Sequence, residues 1–233
     1  MSRILIKLSG EALASPSGFG IDRSIIARFG KEISAQLSLG VQIAVVVGAG
    51  NLLRGATQAA AGSDRVRGDQ MGMLATAING LAIKDVLLSM NIPCELLHAS
   101  ELDTVCEGFS RDKAISYLEK GVVVVLSGGT GNPFFTTDSA AALRAAEIKA
   151  DILYKATKVD GIYDKDPVKH KDAKRYSHIS YKDVIAQGLK VMDMAAIALC
   201  MENQLPIRVF DFTSPGQLEK LLGGESSLCT TVQ

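Results

Sequence analysis

Several short apolar runs, rich in β-branched residues, constrain the fold of this 233-residue chain more than any other feature. They occupy residues 4–8, 41–47, 93–97, 122–126, 152–154 and 207–210. Most of them lack the alternation of apolar and polar residues that is typical of a half-exposed strand. Such runs indicate strands buried on both faces, and hence a parallel sheet.

Helical patterns fall between these runs, at residues 24–39, about 70–90, 111–120, 138–150, 193–203 and 216–222. Asp138-Ser139 and Ser214-Pro215 are suitable helix starts. The alternation of strands and helices predicts an α/β fold: a three-layer αβα sandwich around a mostly parallel, doubly wound sheet. Because no repeat or linker divides the sequence, we expect a single domain over residues 1–233.

Composition narrows the function classes. Lys+Arg and Asp+Glu both total 25, so the chain lacks the basic excess of a protein that binds nucleic acid. We see neither a secretory signal nor an apolar run of about 18 residues, which predicts a cytoplasmic protein without a membrane span. The three histidines are too scattered for a metal cluster. The four cysteines form no CxxC pair and are expected to be reduced thiols: Cys94, Cys106, Cys200 and Cys229.

Loops rich in Gly, Ser, Thr and Asn follow the apolar runs at residues 7–12, 48–55, 127–138 and 155–161. In open α/β sheets, ligands bind outside the carboxyl ends of the strands. Glycines let backbone N–H groups approach a phosphate, so these loops predict a phosphate site. The sequence contains neither GxxxxGK[ST] nor GxGxxG, which disfavours a P-loop protein and a dinucleotide dehydrogenase.

Charged residues beside the loops form a coherent set of Lys7, Arg54, Asp138 and Asp193. The two cations suit a transferring phosphoryl group, which needs positive charge, hydrogen-bond donors and rigid positioning. The two carboxylates could hold lysines in place or bind Mg²⁺. Each aspartate also fits an ordinary helix start, and Lys7 also fits a strand-terminal lysine that reaches solvent.

The sequence resembles a known family, the bacterial uridylate (UMP) kinases of the amino acid kinase superfamily. The resemblance runs nearly from end to end. Its most specific segment is TGNPFFTTDSAA, and KVDGIYDKDP is strong for the superfamily. The other segments that carry it are KLSGEAL (7–13), GFGID (18–22), GNLLRG (50–55), GDQMGMLATAING (68–80) and LKVMD (189–193).

The resemblance implies transfer of the ATP γ-phosphoryl group to UMP, with Mg²⁺ carried mainly by the ATP phosphates and no direct protein ligand. It implies a fold without a P-loop, with an acceptor half over about residues 1–150 and an ATP half over about 151–233. Arg54 would stabilise transition-state charge, Asp138 would orient the active-site lysine, and Asp193 would pair with Lys7. The residues implied for ATP are Lys7, Leu8, Ser9, Gly10, Gly50, Arg54, Thr157, Tyr163 and Asp166.

For the acceptor, the resemblance implies that Asp69 binds the UMP ribose and that the segment from Thr130 to Thr137 wraps the nucleotide. The residues implied for UMP are Ala49, Asp69, Thr130, Gly131, Asn132, Pro133, Phe134, Phe135, Thr136 and Thr137. One departure concerns Ala49, because the family usually has three glycines before the asparagine. A methyl group there disfavours the left-handed conformations that glycine accepts freely.

Regulation and assembly are also implied by the resemblance. The family is typically a homohexamer built from dimers, activated by GTP and inhibited by UTP. The segment implied for GTP is Ser15, Pro16, Ser17, Gly18, Phe19 and Gly20, of which only GFG matches the family well.

Two alternatives stand beside this interpretation. One is another kinase of the superfamily, acting on carbamate, acetylglutamate or aspartate, which TGNPFFTTD argues against. The other is a non-catalytic nucleotide-binding storage or sensor protein, which predicts loss of Lys7, Arg54, Asp138 or Asp193. All four residues are present.

Overall fold

A computed structural model describes residues 2–53 and 64–233 of the chain. Within them one nine-stranded sheet runs in the order β4-β3-β5-β2-β1-β6-β8-β9-β7. All neighbouring strands are parallel except β8 and β9, which pair antiparallel. The strands are β1 (Arg3–Leu8), β2 (Gln42–Val47), β3 (Cys94–His98), β4 (Glu107–Gly108), β5 (Val123–Ser127), β6 (Ile152–Thr157), β7 (His178–Ile179), β8 (Ile207–Asp211) and β9 (Cys229–Val232).

Helices cover both faces of the sheet, as expected for a doubly wound fold. Short 3₁₀ helices occur at Gly10–Leu13 and Ser226–Leu228. The α-helices of the described residues are α1 (Arg23–Ser38), α2 (Arg65–Ser89), α3 (Arg111–Glu119), α4 (Thr137–Glu147), α5 (Tyr181–Ala186), α6 (Met194–Glu202) and α7 (Gln217–Leu222).

The predicted strands and helices are all confirmed, with shifts at their ends. The helix expected from about residue 70 begins at Arg65, because the Asp64 side chain accepts the N–H of Arg67 as its N-cap. The sequence interpretation missed β4, β7, β9 and α5. Two of these strands are only two residues long, and β9, with the sequence CTTV, contains too few apolar residues to form a run.

Alternate side chains of β1 pack into two apolar layers, one on each face of the sheet. Ile4, Ile6 and Leu8 pack toward α1 and α2, among residues such as Phe29. Leu5 points to the other face, where the alanines of α4 and part of α6 close the core. Because β1 is central and buried on both faces, its carboxyl end is held rigidly at the middle of one sheet edge.

Helix α2 is long and apolar enough to cross a membrane by length and composition alone, which is weak evidence for a span. It packs against α1, β3 and β5, and its residues Ile83 and Leu87 are fully buried in the core. The core helix of a soluble protein passes the same test. Its other face is exposed and apolar at Met71, Leu74, Ile78, Leu81 and Leu88.

All four cysteines are free, in agreement with the prediction of unpaired thiols. Burial raises the pKa of both Cys94 and Cys200 to about 12, which keeps their thiols protonated and unreactive near neutral pH.

Candidate active site

Two lysines lie side by side at the carboxyl edge of the sheet. Lys7 of β1 and Lys155 of β6 are register partners on neighbouring parallel strands. Asp138, in the first turn of α4, contacts both. Its Oδ1 lies 3.0 Å from the Nζ of Lys7 and its Oδ2 lies 2.7 Å from the Nζ of Lys155. The three side chains therefore form one cluster, the Lys7–Asp138–Lys155 triad.

The triad carries excess positive charge and is largely buried. The side chains of Lys7, Lys155 and Asp138 are only 10%, 13% and 16% exposed. Two ammonium groups share one carboxylate, and buried charge is costly unless it is compensated. An anionic group bound beside the lysines would supply the missing negative charge.

Lys155 is the main residue that sequence reasoning missed. It was visible only as the first residue of the polar loop at 155–161, and nothing local in KATKVDG separates it from a loop lysine. Burial lowers the pKa of Lys155, Asp138 opposes that shift, and the charge of Lys7 adds to it. Lys155 therefore gives up its proton more readily than an ordinary lysine side chain does.

This lowered pKa leads to a prediction about pH. Above its pKa, Lys155 is neutral and no longer compensates a phosphate, so activity should fall on an alkaline limb below the ordinary lysine value of 10.5. We expect Lys155→Arg to retain partial turnover and to lose that limb, because a guanidinium stays protonated. Turnover measured from pH 7 upward in both proteins checks this. An identical limb in the variant would contradict it.

In the part of the chain that the structure describes, the ion-pair partner of Lys7 is Asp138, and Asp193, predicted to pair with Lys7, has other partners. Among the described residues its carboxylate accepts hydrogen bonds from the Thr136 hydroxyl, from the Ser139 hydroxyl at 2.8 Å and, as N-cap of α6, from the Ala196 N–H at 2.8 Å. Burial raises the pKa of Asp193, but these hydrogen bonds outweigh it and leave the pKa below its ordinary value. Asp193 therefore fixes the start of α4, which carries Asp138.

The loops after β1 and β2 touch each other at Gly10. A Cβ atom on Gly10 would lie 2.4 Å from the Gly50 nitrogen and 2.5 Å from Asn51 Oδ1, so only glycine fits. Ala49 does not adopt a positive φ, and its methyl group is therefore accommodated without backbone strain. The departure from the family's three glycines does not distort this loop.

A buried pair of amides ties these loops to α2, and sequence reasoning did not single it out. Asn51 and Asn79 exchange hydrogen bonds at 3.0 and 2.8 Å. Asn79 also donates to the Gly48 carbonyl at 2.7 Å, and Asn51 donates to the Gly20 carbonyl at 2.7 Å. With side chains at 1% and 0% exposure, every donor is satisfied internally, which makes the connection rigid.

A cavity of about 320 Å³ lies on one side of the triad, between α2 and the segment after β5. Seven of the residues predicted for UMP line it: Ala49, Asp69, Thr130, Asn132, Phe135, Thr136 and Thr137. Gly50, predicted for ATP, also lines this cavity. Gly131, Pro133 and Phe134 are not among its lining residues.

Asp69 organises the mouth of this cavity. Its Oδ2 accepts the Phe134 N–H at 2.7 Å and lies 2.9 Å from Arg65 Nε. Phe134 adopts a φ of 73°, a left-handed conformation that is unfavourable for an aromatic residue. Asp69 thus stabilises a strained backbone position in the segment predicted to wrap the acceptor.

A larger cavity of about 650 Å³ lies on the other side of the sheet edge. Lys155 lines it, together with Thr157, Tyr163 and Asp166, three of the residues predicted for ATP. Leu8, also predicted for ATP, is fully buried in the core, so its side chain is not available to a ligand. Ser9 is the N-cap of the first 3₁₀ helix and accepts the Ala12 N–H at 3.2 Å.

The segment predicted for an effector lies beside a third cavity of about 380 Å³, lined in part by Ser9, Ser15, Pro16, Gly18 and Thr157. The hydroxyl groups of Ser15 and Ser17 lie 2.7 Å apart, and Phe19 is 66% exposed. The Gly20 N–H donates to the Asn51 carbonyl at 3.1 Å. Arg54, predicted to stabilise transition-state charge, falls outside the described residues.

Paired lysines held by a carboxylate, glycine-rich loops at the carboxyl edge of a parallel sheet and a cavity on each side define a class of protein, the nucleotide-dependent kinases that lack a P-loop. The family model described as "Amino acid kinase family" matches residues 2–211. The chain therefore belongs to the amino acid kinase family.

Similar proteins narrow this assignment. The chain is 54% identical over 223 residues to a protein named uridylate kinase from Xanthomonas euvesicatoria pv. vesicatoria, covering 96% of this chain and 93% of the relative. It is 54% identical over 224 residues to a uridylate kinase from Serratia proteamaculans, with the same coverage. The crystal structure of UMP kinase from Bacillus anthracis has a TM-score of 0.94 at 36% identity, covering 100% of this chain and 96% of that chain. The resemblance seen in the sequence is confirmed.

Proposed function

We propose that this chain transfers the γ-phosphoryl group of ATP to UMP, giving UDP and ADP. The observation that carries the proposal is the Lys7–Asp138–Lys155 triad. Lys155 lines the larger cavity, while Thr136 and Thr137, which precede Asp138 in the chain, line the smaller one. A phosphoryl group that is transferred between two bound nucleotides would pass close to the ammonium groups of Lys7 and Lys155. The names of relatives more than 50% identical support UMP as the acceptor.

The chemistry required of the protein is limited to positioning and charge stabilisation. In this proposal the larger cavity takes the ATP nucleoside and the smaller cavity takes UMP, which corresponds to an ATP half from about residue 151 and an acceptor half before it. Lys7 and Lys155 neutralise charge on the transferring group, and backbone N–H groups of the loops at Gly10 and Gly50 contact phosphate oxygens. Arg54 remains a prediction for transition-state stabilisation.

Mg²⁺ is proposed to arrive with ATP. The described residues contain no group of three or more His, Cys, Asp or Glu that could hold a metal ion. Both oxygens of Asp138 face lysines, and both oxygens of Asp193 accept hydrogen bonds. These contacts fit carboxylates that position cations, so the ATP phosphates would carry the metal ion. Carried in by ATP, Mg²⁺ would supply positive charge against the charge on the phosphates.

A homo-oligomer, and a hexamer in particular, is proposed as the working form in the cytoplasm. Helix α2 carries an exposed apolar stripe. Its residues follow one another at intervals of three or four positions, except that Asp85 takes one of these positions: Met71, Leu74, Ile78, Leu81 and Leu88. An apolar helix face of this spacing is suited to pack against a second copy of itself. Sedimentation equilibrium measures the mass of the assembly directly.

Control by GTP as activator and UTP as inhibitor is proposed to act through residues 15–20. The support is the contact of Gly20 with Asn51, which is bonded in turn to Asn79. A ligand that moved residues 15–20 would therefore act on the loop proposed to contact phosphate.

The test of the function is ADP formation from ATP and Mg²⁺ with UMP, CMP, carbamate, acetylglutamate and aspartate compared in parallel, each with and without GTP. We expect turnover with UMP that exceeds turnover with the three non-nucleotide acceptors by orders of magnitude. Turnover confined to a non-nucleotide acceptor would favour another kinase of the family. ATP binding without turnover would favour a storage or sensor protein.

A further inference from the structure

A short hairpin forms one wall of the larger cavity. Asp164 N–H donates to the Lys174 carbonyl at 3.1 Å, Tyr176 N–H donates to the Ile162 carbonyl at 2.9 Å, and Tyr163 and Arg175 form the bridge between these pairs. Residues of the first arm line the cavity, whereas Arg175 on the second arm does not. Arg175 can therefore act on the cavity only through the residues that it contacts.

The Arg175 side chain is fixed at three points. Its Nη1 donates to the carbonyl and to the carboxylate Oδ2 of Asp160, both at 3.0 Å. Its Nη2 donates to the carbonyl of Ser227, just before β9, at 2.7 Å. Its stem fills the space beside Gly161, where a Cβ atom would lie 2.9 Å from Arg175 Cδ. The guanidinium thus joins the start of the cavity wall to the C-terminal part of the sheet.

The same carboxylate also holds Tyr163. The phenol donates to Asp160 Oδ1 at 2.6 Å, on the oxygen that Arg175 leaves free. This hydrogen bond is the main cause of the raised pKa of Tyr163, which keeps the phenol protonated as a donor. Arg175, Asp160 and Tyr163 form a chain in which the residue that lines the cavity is the last member.

We propose that Arg175 is a positioning residue for the ATP nucleoside, acting through Asp160 on Tyr163. The inference rests on the proposed assignment of the larger cavity to ATP. Without Arg175, the Asp160 carboxylate loses a partner and Tyr163 loses its fixed orientation. Fixing the side chains of Asp160 and Tyr163 when ATP binds then lowers the affinity for ATP, whereas the cavity proposed for UMP keeps its structure.

The experiment measures the ATP dissociation constant by calorimetry, and the KM for ATP and for UMP, in Arg175→Met, Tyr163→Phe and the double variant. Arg111→Met is the matched control, because Arg111 is 51% exposed, pairs with Asp112 at the start of α3 and lines neither cavity. We expect Arg175→Met to weaken ATP binding about fivefold to tenfold, with the KM for UMP within about twofold of the parent. Because both variants act through one carboxylate, the double variant should bind ATP no more weakly than Arg175→Met.

Several results would overturn the inference. They are an ATP dissociation constant unchanged in Arg175→Met, equal losses for ATP and UMP, or additive effects in the double variant. If Arg175→Met does not fold, Tyr163→Phe decides, since it removes one oxygen atom, and unchanged ATP binding in it would count against the inference. A parent chain without ATP- and UMP-dependent turnover would instead reject the proposed function.

Discussion

We expect Lys7→Met to fold and to lose turnover by about 10²–10³-fold, the usual cost of removing one donor to a developing charge. The fold should persist because methionine keeps most of the apolar stem in the buried strand, and Asp138 retains Lys155 at 2.7 Å. The loss should appear in kcat, because the charge of Lys7 is proposed to matter most as the phosphoryl group moves.

Steady-state kinetics with ATP and UMP, together with thermal unfolding, check this expectation. Lys113→Met is the matched control, since Lys113 pairs with Glu107 on the far edge of the sheet. A Lys7→Met protein with unchanged kcat would remove Lys7 from the site.

The second large effect is expected for Asp138→Asn, which should lower both the stability of the fold and the turnover. The neutral amide leaves two ammonium groups, 10% and 13% exposed, without their shared carboxylate. Removing one partner of a buried ion pair typically lowers the free energy of unfolding by about 3–5 kcal/mol. The loss should shrink as pH rises, because the lowered pKa of Lys155 lets it give up its proton in the folded state before the unfolded state does.

Urea unfolding of Asp138→Asn, Lys155→Met and the double variant measures this effect. The double variant removes one of the two stranded charges and should recover part of the stability that Asp138→Asn loses. An Asp138→Asn protein as stable as the parent would mean that the triad carries no mutual electrostatic constraint.

The central strands were predictable because a strand buried on both faces has an uninterrupted run of apolar residues. Lys7 was predictable for the same reason, since a charge at the end of such a run needs an explanation. Lys155 was not, because its importance comes from being the register partner of Lys7, and register is a property of the assembled sheet. Asp193 was found as a helix start, but the hydroxyl groups that it binds lie at the start of α4, and no local pattern shows which distant hydroxyls a carboxylate will meet.

The central place of β1 has a consequence for how the protein is made. Strand β1 pairs on one side with β2 but on the other with β6, so strands β2 to β5 and helices α1 to α4 must be synthesised before β1 gains its second neighbour. Until then β1 presents an open apolar edge, a template for pairing with other chains. We therefore expect a nascent chain that stops short of β6, and so carries Lys7 without Lys155, to be inactive and prone to aggregate.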